Sequence, residues 1–151
     1  MATLKQTVLN LLNGDAALGA IVTPDFVDAE NLPFDGLTPD NIQTSVNGVT
    51  ILLQGVLRWR SENPMRGPNN AVRRFLEIYL YDDPAHGFDN LDNAKRRIFE
   101  LLHQKYLSPT DHEGLAWSIW VGDLGEGYED DLNANMDRMR FQIDLTRKPT
   151  S

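Results

Sequence analysis

Asp123, Glu126, Glu129, Asp130 and Asp131 place five carboxylates within nine residues. That density suggests calcium first. A calcium-binding EF-hand loop needs acidic or amide ligands at its first, third and fifth positions. Counted from Asp123, the third and fifth positions are Gly125 and Gly127, and the match fails. The run then has three readings: a weak cation site, a solvated hairpin tip held open by like charges, or an electrostatic contact with a basic partner. His86, His103 and His112 lie far apart, and none stands at helical spacing with a second ligand. No H-E-x-x-H, G-x-S-x-G, G-x-x-x-x-G-K-[ST] or G-x-G-x-x-G motif occurs. Ser118 sits between Trp117 and Ile119 in a strand-like run, a poor place for an activated hydroxyl. The acidic pairs Asp82/Asp83 and Asp130/Asp131 fall in turn-like stretches. We expect no catalytic residues, no metal and no cofactor, and no enzyme activity.

Basic chemistry is modest. Arg58 and Arg60 flank Trp59, Arg66 sits in a turn-rich stretch, and Arg73 and Arg74 face opposite sides of a strand. An Arg–aromatic strand can hold single-stranded nucleic acid by stacking. Fourteen Lys and Arg face 22 Asp and Glu, however, for a net charge of −8. An acidic chain repels phosphate backbones. A protein interface, or a sheet edge protected by charge, is the favoured reading. The chain has no cysteine, which excludes disulfides, zinc-thiolate sites and cysteine nucleophiles. No apolar run reaches the ~18 residues of a membrane span. The first residues open a helix and lack the apolar stretch of a signal peptide, so a protein that stays where it is made is expected.

The elements that position these residues follow from periodicity. The 151 residues suit a single α+β domain. Thr3 to Asn13 reads as a helix, with Thr3 and Gln6 in a capping-box pattern and Leu4, Val8, Leu11 and Leu12 on one face. Asp15 can cap a further turn, Ala16 to Ile21. Residues 23–48 carry Pro24, Pro33, Pro39 and Gly36 and form a long loop, with Phe26, Val27, Leu32, Phe34 and Leu37 as anchors and an edge strand around Ile42 to Val46. Val49 to Arg60 reads as a strand, interrupted at Gly55 by a bulge signal. Ser61 to Asn70 is turn chemistry, and Val72 to Asp82 is a second strand, so the two should form a long hairpin. Phe88 to Leu107 is the clearest helix, capped by Asp89 or Asn90. Leu115 to Val121 is a third strand, with Leu115, Trp117, Ile119 and Val121 facing inward. Met139 to Leu145 is a fourth, with Met139, Phe141, Ile143 and Leu145 inside. Gly122 to Asn135 is an acidic, glycine-rich loop, and residues 147–151 should fray.

The expected fold is a four-stranded, mostly antiparallel sheet with two helices packed on one face. Its second face should carry Arg58, Phe75, Glu77, Tyr79, Tyr81 and Trp120. A solvated face has no use for four aromatic rings. Either the long loop folds over them or another subunit does; Tyr, Trp and Arg are enriched at protein interfaces, so self-association is the favoured reading.

The layout resembles the small tail-terminator, or tail-completion, proteins of long-tailed bacteriophages. The likeness covers most of the chain. It runs from the Leu4-x-x-x-Val8-x-x-Leu11-Leu12 stripe and the turn Asp15-Ala-Ala-Leu-Gly to a proline-bearing loop and the strand Val49 to Trp59. It continues through Phe75 to Tyr81, which runs into Asp82-Asp83, then the helix Asn90 to Leu107, the acidic loop and the strand Met139 to Leu145. The resemblance implies a virion protein of the tail or neck, made in the host cytoplasm. It implies a hexameric ring that caps the tail tube protein and offers a surface to a head–neck connector protein. DNA would pass through the lumen without specific binding. Candidate subunit contacts are Arg58, Arg66, Phe75, Tyr79, Tyr81 and Trp120. The candidate acidic lumen or partner loop is Asp123, Glu126, Glu129, Asp130 and Asp131. A neck or head-closure component, or a monomeric adaptor that captures a strand on its sheet edge, are the alternatives.

Overall fold

Thr3 starts the first helix by the reciprocal bonding its sequence predicts. Its Oγ1 accepts from Gln6 N at 3.2 Å, and Gln6 Oε1 accepts from Thr3 N at 3.2 Å. These bonds satisfy two N–H groups that a helix otherwise leaves bare. The structure, a computed structural model, describes residues 3–22, 26–31, 45–46, 49–50, 53–61, 63–64, 71–107 and 113–147. Arg66, Leu32, Phe34, Leu37, Ile42 to Thr44 and the tail beyond Arg147 lie outside them.

Helix α1 spans Leu4–Gly14 and α2 spans Ala16–Gly19. Asp15 links the two, and its Oδ2 accepts from Leu18 N at 2.9 Å. Helix α3 spans Asp89–Leu102. The strands are β1 (Val27–Asp28), β2 (Ser45–Val46), β3 (Val49–Thr50), β4 (Leu53–Trp59), β5 (Asn63–Pro64), β6 (Ala71–Asp82), β7 (Lys105–Leu107), β8 (Glu113–Glu129) and β9 (Ala134–Arg147).

The expected four-stranded sheet with two helices is corrected. Among the described residues, seven strands form one curled, mixed sheet in the order β1-β4-β6-β9-β8-β7, with β5 also on β6, and three α-helices accompany it. The sheet is mixed because β1 runs parallel to β4 while every other pair is antiparallel. The additional strands are two or three residues long, too short for alternation to be seen in sequence. Strands β2 and β3 form a separate pair.

Three further differences have local causes. Helix α3 stops before Leu107, because Gln104 takes φ 53°, a left-handed turn that ends the helix and sends Lys105–Leu107 onto β8. Neither Asp89 nor Asn90 caps α3; Phe88 holds that position without a side-chain bond, and Asn90 Nδ2 reaches Asp82 Oδ2 at 3.3 Å instead. Gly55 marks no bulge, since the β4–β6 register runs unbroken through Gly55↔Leu80. Bulges fall in β8 instead, after Glu113, Trp120 and Asp123.

One sheet face meets the helices. Leu57, Leu76, Ile78, Leu80, Met139, Phe141, Ile143 and Leu145 are buried there against Leu4, Val8 and Leu12 of α1, Leu18 of α2 and Leu91, Ala94, Ile98 and Leu102 of α3. The phase of β8 is set by this face. Phe141, Ile143 and Leu145 must all be covered, and their partners are Trp120, Ser118 and Ala116. Ala116 and Ser118 are therefore the buried residues, whereas Trp117 and Ile119, expected inside, are half-buried on the outer face. Arg97 ties α3 to the α1–α2 corner with a two-pronged contact: Nε and Nη2 donate to Asp15 Oδ2 and Oδ1 at 2.9 and 2.7 Å. That guanidinium holds the Asp15 carboxyl below its usual range.

Candidate functional site

The outer face of the sheet is built from the alternate positions of the same strands. Register places Arg58 opposite Glu77 and Glu77 opposite Arg140, one row across β4, β6 and β9. The next row toward the β8–β9 turn holds Val56, Tyr79 and Arg138, and the row on the other side holds Phe75, Gln142 and Ile119. Guanidinium and ring alternate in space. Arg58 lies 5.2 Å from the Tyr79 ring centroid and Arg140 lies 4.0 Å from that of Phe75. Such pairs are electrostatically favourable and keep each cation over its ring.

The two carboxylates in this lattice are engaged. Glu77 accepts from Arg60 Nη2 at 2.6 Å and from the Tyr79 hydroxyl at 3.2 Å. Burial pushes its pKa up, but Arg60 and Tyr79 outweigh it and hold the carboxyl below its usual range. Asp144 accepts from Arg73 Nε at 2.9 Å. Three guanidiniums, Arg58, Arg138 and Arg140, form no ion pair or hydrogen bond with a carboxylate among the described residues, although the charge of Arg140 reaches Glu77 and that of Arg138 reaches Asp123. The Nε of each is buried and without a hydrogen bond. Arg138 spends one Nη2–H on Leu124 O at 2.9 Å.

At the β8–β9 turn the face is closed by the chain itself. Leu132 packs with Tyr81, Val56 and Ala134 in a second, smaller cluster. The Tyr81 hydroxyl is buried enough to be pushed up to about 12. At the opposite end, Tyr106 and Trp117 form a tilted ring pair with centroids 4.6 Å apart, and Tyr106 is 65% exposed.

Of the residues singled out in the sequence, Arg58, Phe75, Tyr79 and Tyr81 do share this face. Trp120 does not. It pairs with Phe141 on the helix side, meets Phe99 edge-on at 5.2 Å, and its backbone N–H donates to His103 Nδ1 at 3.0 Å. It is 37% exposed at the margin. The exposed aromatics Tyr106 and Tyr128, with Trp117, were missed. Tyr106 lay in a stretch read as helix, and Trp117 was assigned to the wrong phase of β8.

The acidic run is only partly a loop. Residues 122–129 continue β8 and pair with β9, and the turn itself is 130–133, closed by a Tyr128 hydroxyl bond to Asn133. Asp123 faces α3, where Lys95 Nζ donates to its Oδ2 at 2.7 Å. The same ammonium lies 2.9 Å from Oδ2 of fully buried Asp137, outside hydrogen-bonding geometry. Burial raises the Asp137 pKa, and Lys95 opposes that rise. Glu126 is raised by lost solvation and by the neighbouring Asp137 and Asp92 carboxylates. Oxygens of Asp92, Glu126 and Asp137 come within 4.8 Å of one another, close enough for a cation. Lys95 already supplies positive charge to that group. Asp130 and Asp131 are exposed, and neither is ion-paired among the described residues.

The remaining buried acids brace the fold. Asp82 is raised by burial, and its Oδ1 lies 2.8 Å from His86 Nδ1 and accepts from Asp83 N at 2.9 Å, fixing the corner after β6. Asp28, also raised by burial, accepts from Trp59 Nε1 at 3.3 Å.

This fold is found in a virus-like particle. It matches a chain of the solved structure "Virion of native gene transfer agent (GTA) particle" with a TM-score of 0.65 and 16% identity, over 95% of this chain and 94% of that one. At that identity the likeness is one of fold. No protein-family model and no curated protein matches the sequence.

Proposed function

We propose that this chain is a non-enzymatic, structural virion protein. In this reading it forms a ring that terminates the tail tube, offers the head-joining surface and resides at the tail or neck. The observation that carries it is the near end-to-end fold match to a chain of a gene transfer agent virion. The outer sheet face supports it. Aromatic rings and unpaired guanidiniums lie there together, as at association surfaces. Ring closure needs two different surfaces that meet head to tail. Arg58, Phe75 and Tyr79 supply one contact surface, with Trp120 at the margin; Tyr81 is covered by Leu132 of its own chain, and Arg66 lies outside the described residues. Asp123, Glu126, Glu129, Asp130 and Asp131 supply an acidic element that faces a partner or a lumen and keeps passing DNA from adhering.

The test is native mass across a wide concentration range, with electron micrographs of whatever assembles. A ring with a central hole is the expected result. A monomer at every concentration overturns it. Binding to isolated tail tubes rather than to head connectors then separates a terminator from a neck or head-closure component.

A second reading is a monomeric sheet-edge adaptor. It is favoured by the edge of β8, where β7 pairs only with residues 116–118 and no described strand covers residues 119–129. An extended peptide could add there by backbone pairing. Such an adaptor stays monomeric.

A further inference from the structure

We infer that the acidic turn of one copy docks on the guanidinium lattice of the next. This rests on the assembly reading above and names the two surfaces that meet. The acceptor is the outer-face lattice of Arg58, Arg138 and Arg140. The donor is the turn that carries Asp130 and Asp131.

The argument begins with charge left over within one chain. The lattice has two carboxylates, Glu77 and Asp144, and each is engaged by an arginine outside the trio, Arg60 and Arg73. Arg58 and Arg140 sit over the rings of Tyr79 and Phe75, and together with Arg138 they form no direct ion pair with a carboxylate among the described residues, Glu77 being bound by Arg60 and Asp123 by Lys95. A guanidinium held on a ring loses little conformational freedom when it binds, and its remaining N–H groups suit a carboxylate two at a time. A carboxylate-bearing segment is the matching partner. The same chain presents one. Asp130 and Asp131 are exposed on a short turn, and neither has an ion-pair partner among the described residues.

The turn does not satisfy its own lattice. Leu132 anchors it over Tyr81 at the end of the face, while Arg58 and Arg140 lie in the row beyond Tyr79. Turn and lattice are different surfaces, so the contact is head to tail. Each copy gives one turn and receives one, which is the arrangement a closed ring or an open filament requires. Nucleic acid is the weaker partner for the same arginines. The chain carries −8, and Glu77 stands in the middle of the row.

The test uses the full chain and charge reversal. One variant is Arg58→Glu with Arg140→Glu; the other is Asp130→Lys with Asp131→Lys. The second changes only exposed turn residues, so it tests the contact even if the first folds poorly, and circular dichroism verifies both. Each variant alone should need at least about a tenfold higher concentration for half-assembly in sedimentation, since several charge-assisted contacts become repulsive. An equimolar mixture should assemble again, because reversed turn meets reversed lattice. If the wild type assembles and the variants do so unchanged, or the mixture stays apart, this contact is wrong and the ring reading stands. If a fluorescent oligonucleotide binds the wild type and loses the lattice variant while assembly is unaffected, the arginines serve nucleic acid and the contact is wrong. If the wild type is monomeric throughout, the ring reading fails and this contact with it.

Discussion

The ring of Phe26 occupies the space that a side chain at position 55 would need: a Cβ on Gly55 would lie 2.2 Å from Phe26 Cε1. Phe26 cannot easily move aside. Its N–H donates to Asn13 Oδ1 at 2.7 Å, and its carbonyl accepts from Asn13 Nδ2 at 3.3 Å. The glycine in β4 is there for close approach, and through it Phe26 is clamped between Asn13 of α1 and the sheet.

Gly55→Ala should therefore destabilise the fold by about 1–3 kcal/mol, the usual cost of overpacking a filled site. Thermal unfolding of a chain this size should drop by about 2–4 °C per kcal/mol. Phe26→Leu in the same background should recover part of the loss, and a double-mutant cycle reads the coupling. Additive effects would show that the two residues do not compete for space.

Lys95→Ala should cost about 3 kcal/mol near neutral pH, because it leaves Asp137 buried without its cation. The deficit should shrink on acidification. Burial holds the folded pKa of Asp137 above the ordinary 3.8. Between the two values the native state binds the extra proton, so the group's contribution is complete below about 3.8 and is lost as pH rises through the folded value. Denaturant titrations of both proteins from pH 4 to pH 8 check this. A pH-independent difference would show that Lys95 acts through packing alone.

Ser118→Ala should raise stability by about 1 kcal/mol. The Ser118 hydroxyl is fully buried on the helix side and has no hydrogen bond. A buried hydroxyl without a partner carries an uncompensated desolvation cost. A loss of stability, measured by urea unfolding, would mean that a bound water satisfies it.

Tyr79→Asp should leave a folded chain that no longer self-associates, because it places an anion in the middle of the outer face and removes the ring beneath Arg58. Sedimentation shows the change in mass, and near-ultraviolet circular dichroism verifies the core. Wild-type assembly by this variant would move the interface away from this face.

Much of the architecture could be read from residue patterns, and the failures share a cause. The capping box at Thr3 and Gln6 is local and strong. The alternation in β6 and β9 is long enough to assign both faces, which is why Arg58, Phe75, Tyr79 and Tyr81 were grouped correctly. In β8 every residue from Leu115 to Val121 except Ser118 is apolar, so alternation is nearly silent there. Its phase comes from pairing with β9, a long-range fact, and Trp117 and Trp120 exchanged faces as a result. Strands β1, β5 and β7 are two or three residues long and exist only because a longer strand lies beside them. The acidic run was legible as composition. That Lys95 on α3 would claim Asp123 while Asp130 and Asp131 stayed unpaired depended on where β8 turned.

Strand β9 is the last in sequence among the described residues, yet it stands in the middle of the sheet between β6 and β8. During synthesis, β6 emerges more than fifty residues before the strand that will cover its inner edge. Until then Leu76, Ile78 and Leu80, together with an unpaired row of backbone groups, are open to other nascent chains. The β8–β9 hairpin can form locally and quickly, but its docking on β6 is a long-range closure and should limit the folding rate. A ribosome that stalls before Ala134 releases a product with two raw edges and no centre.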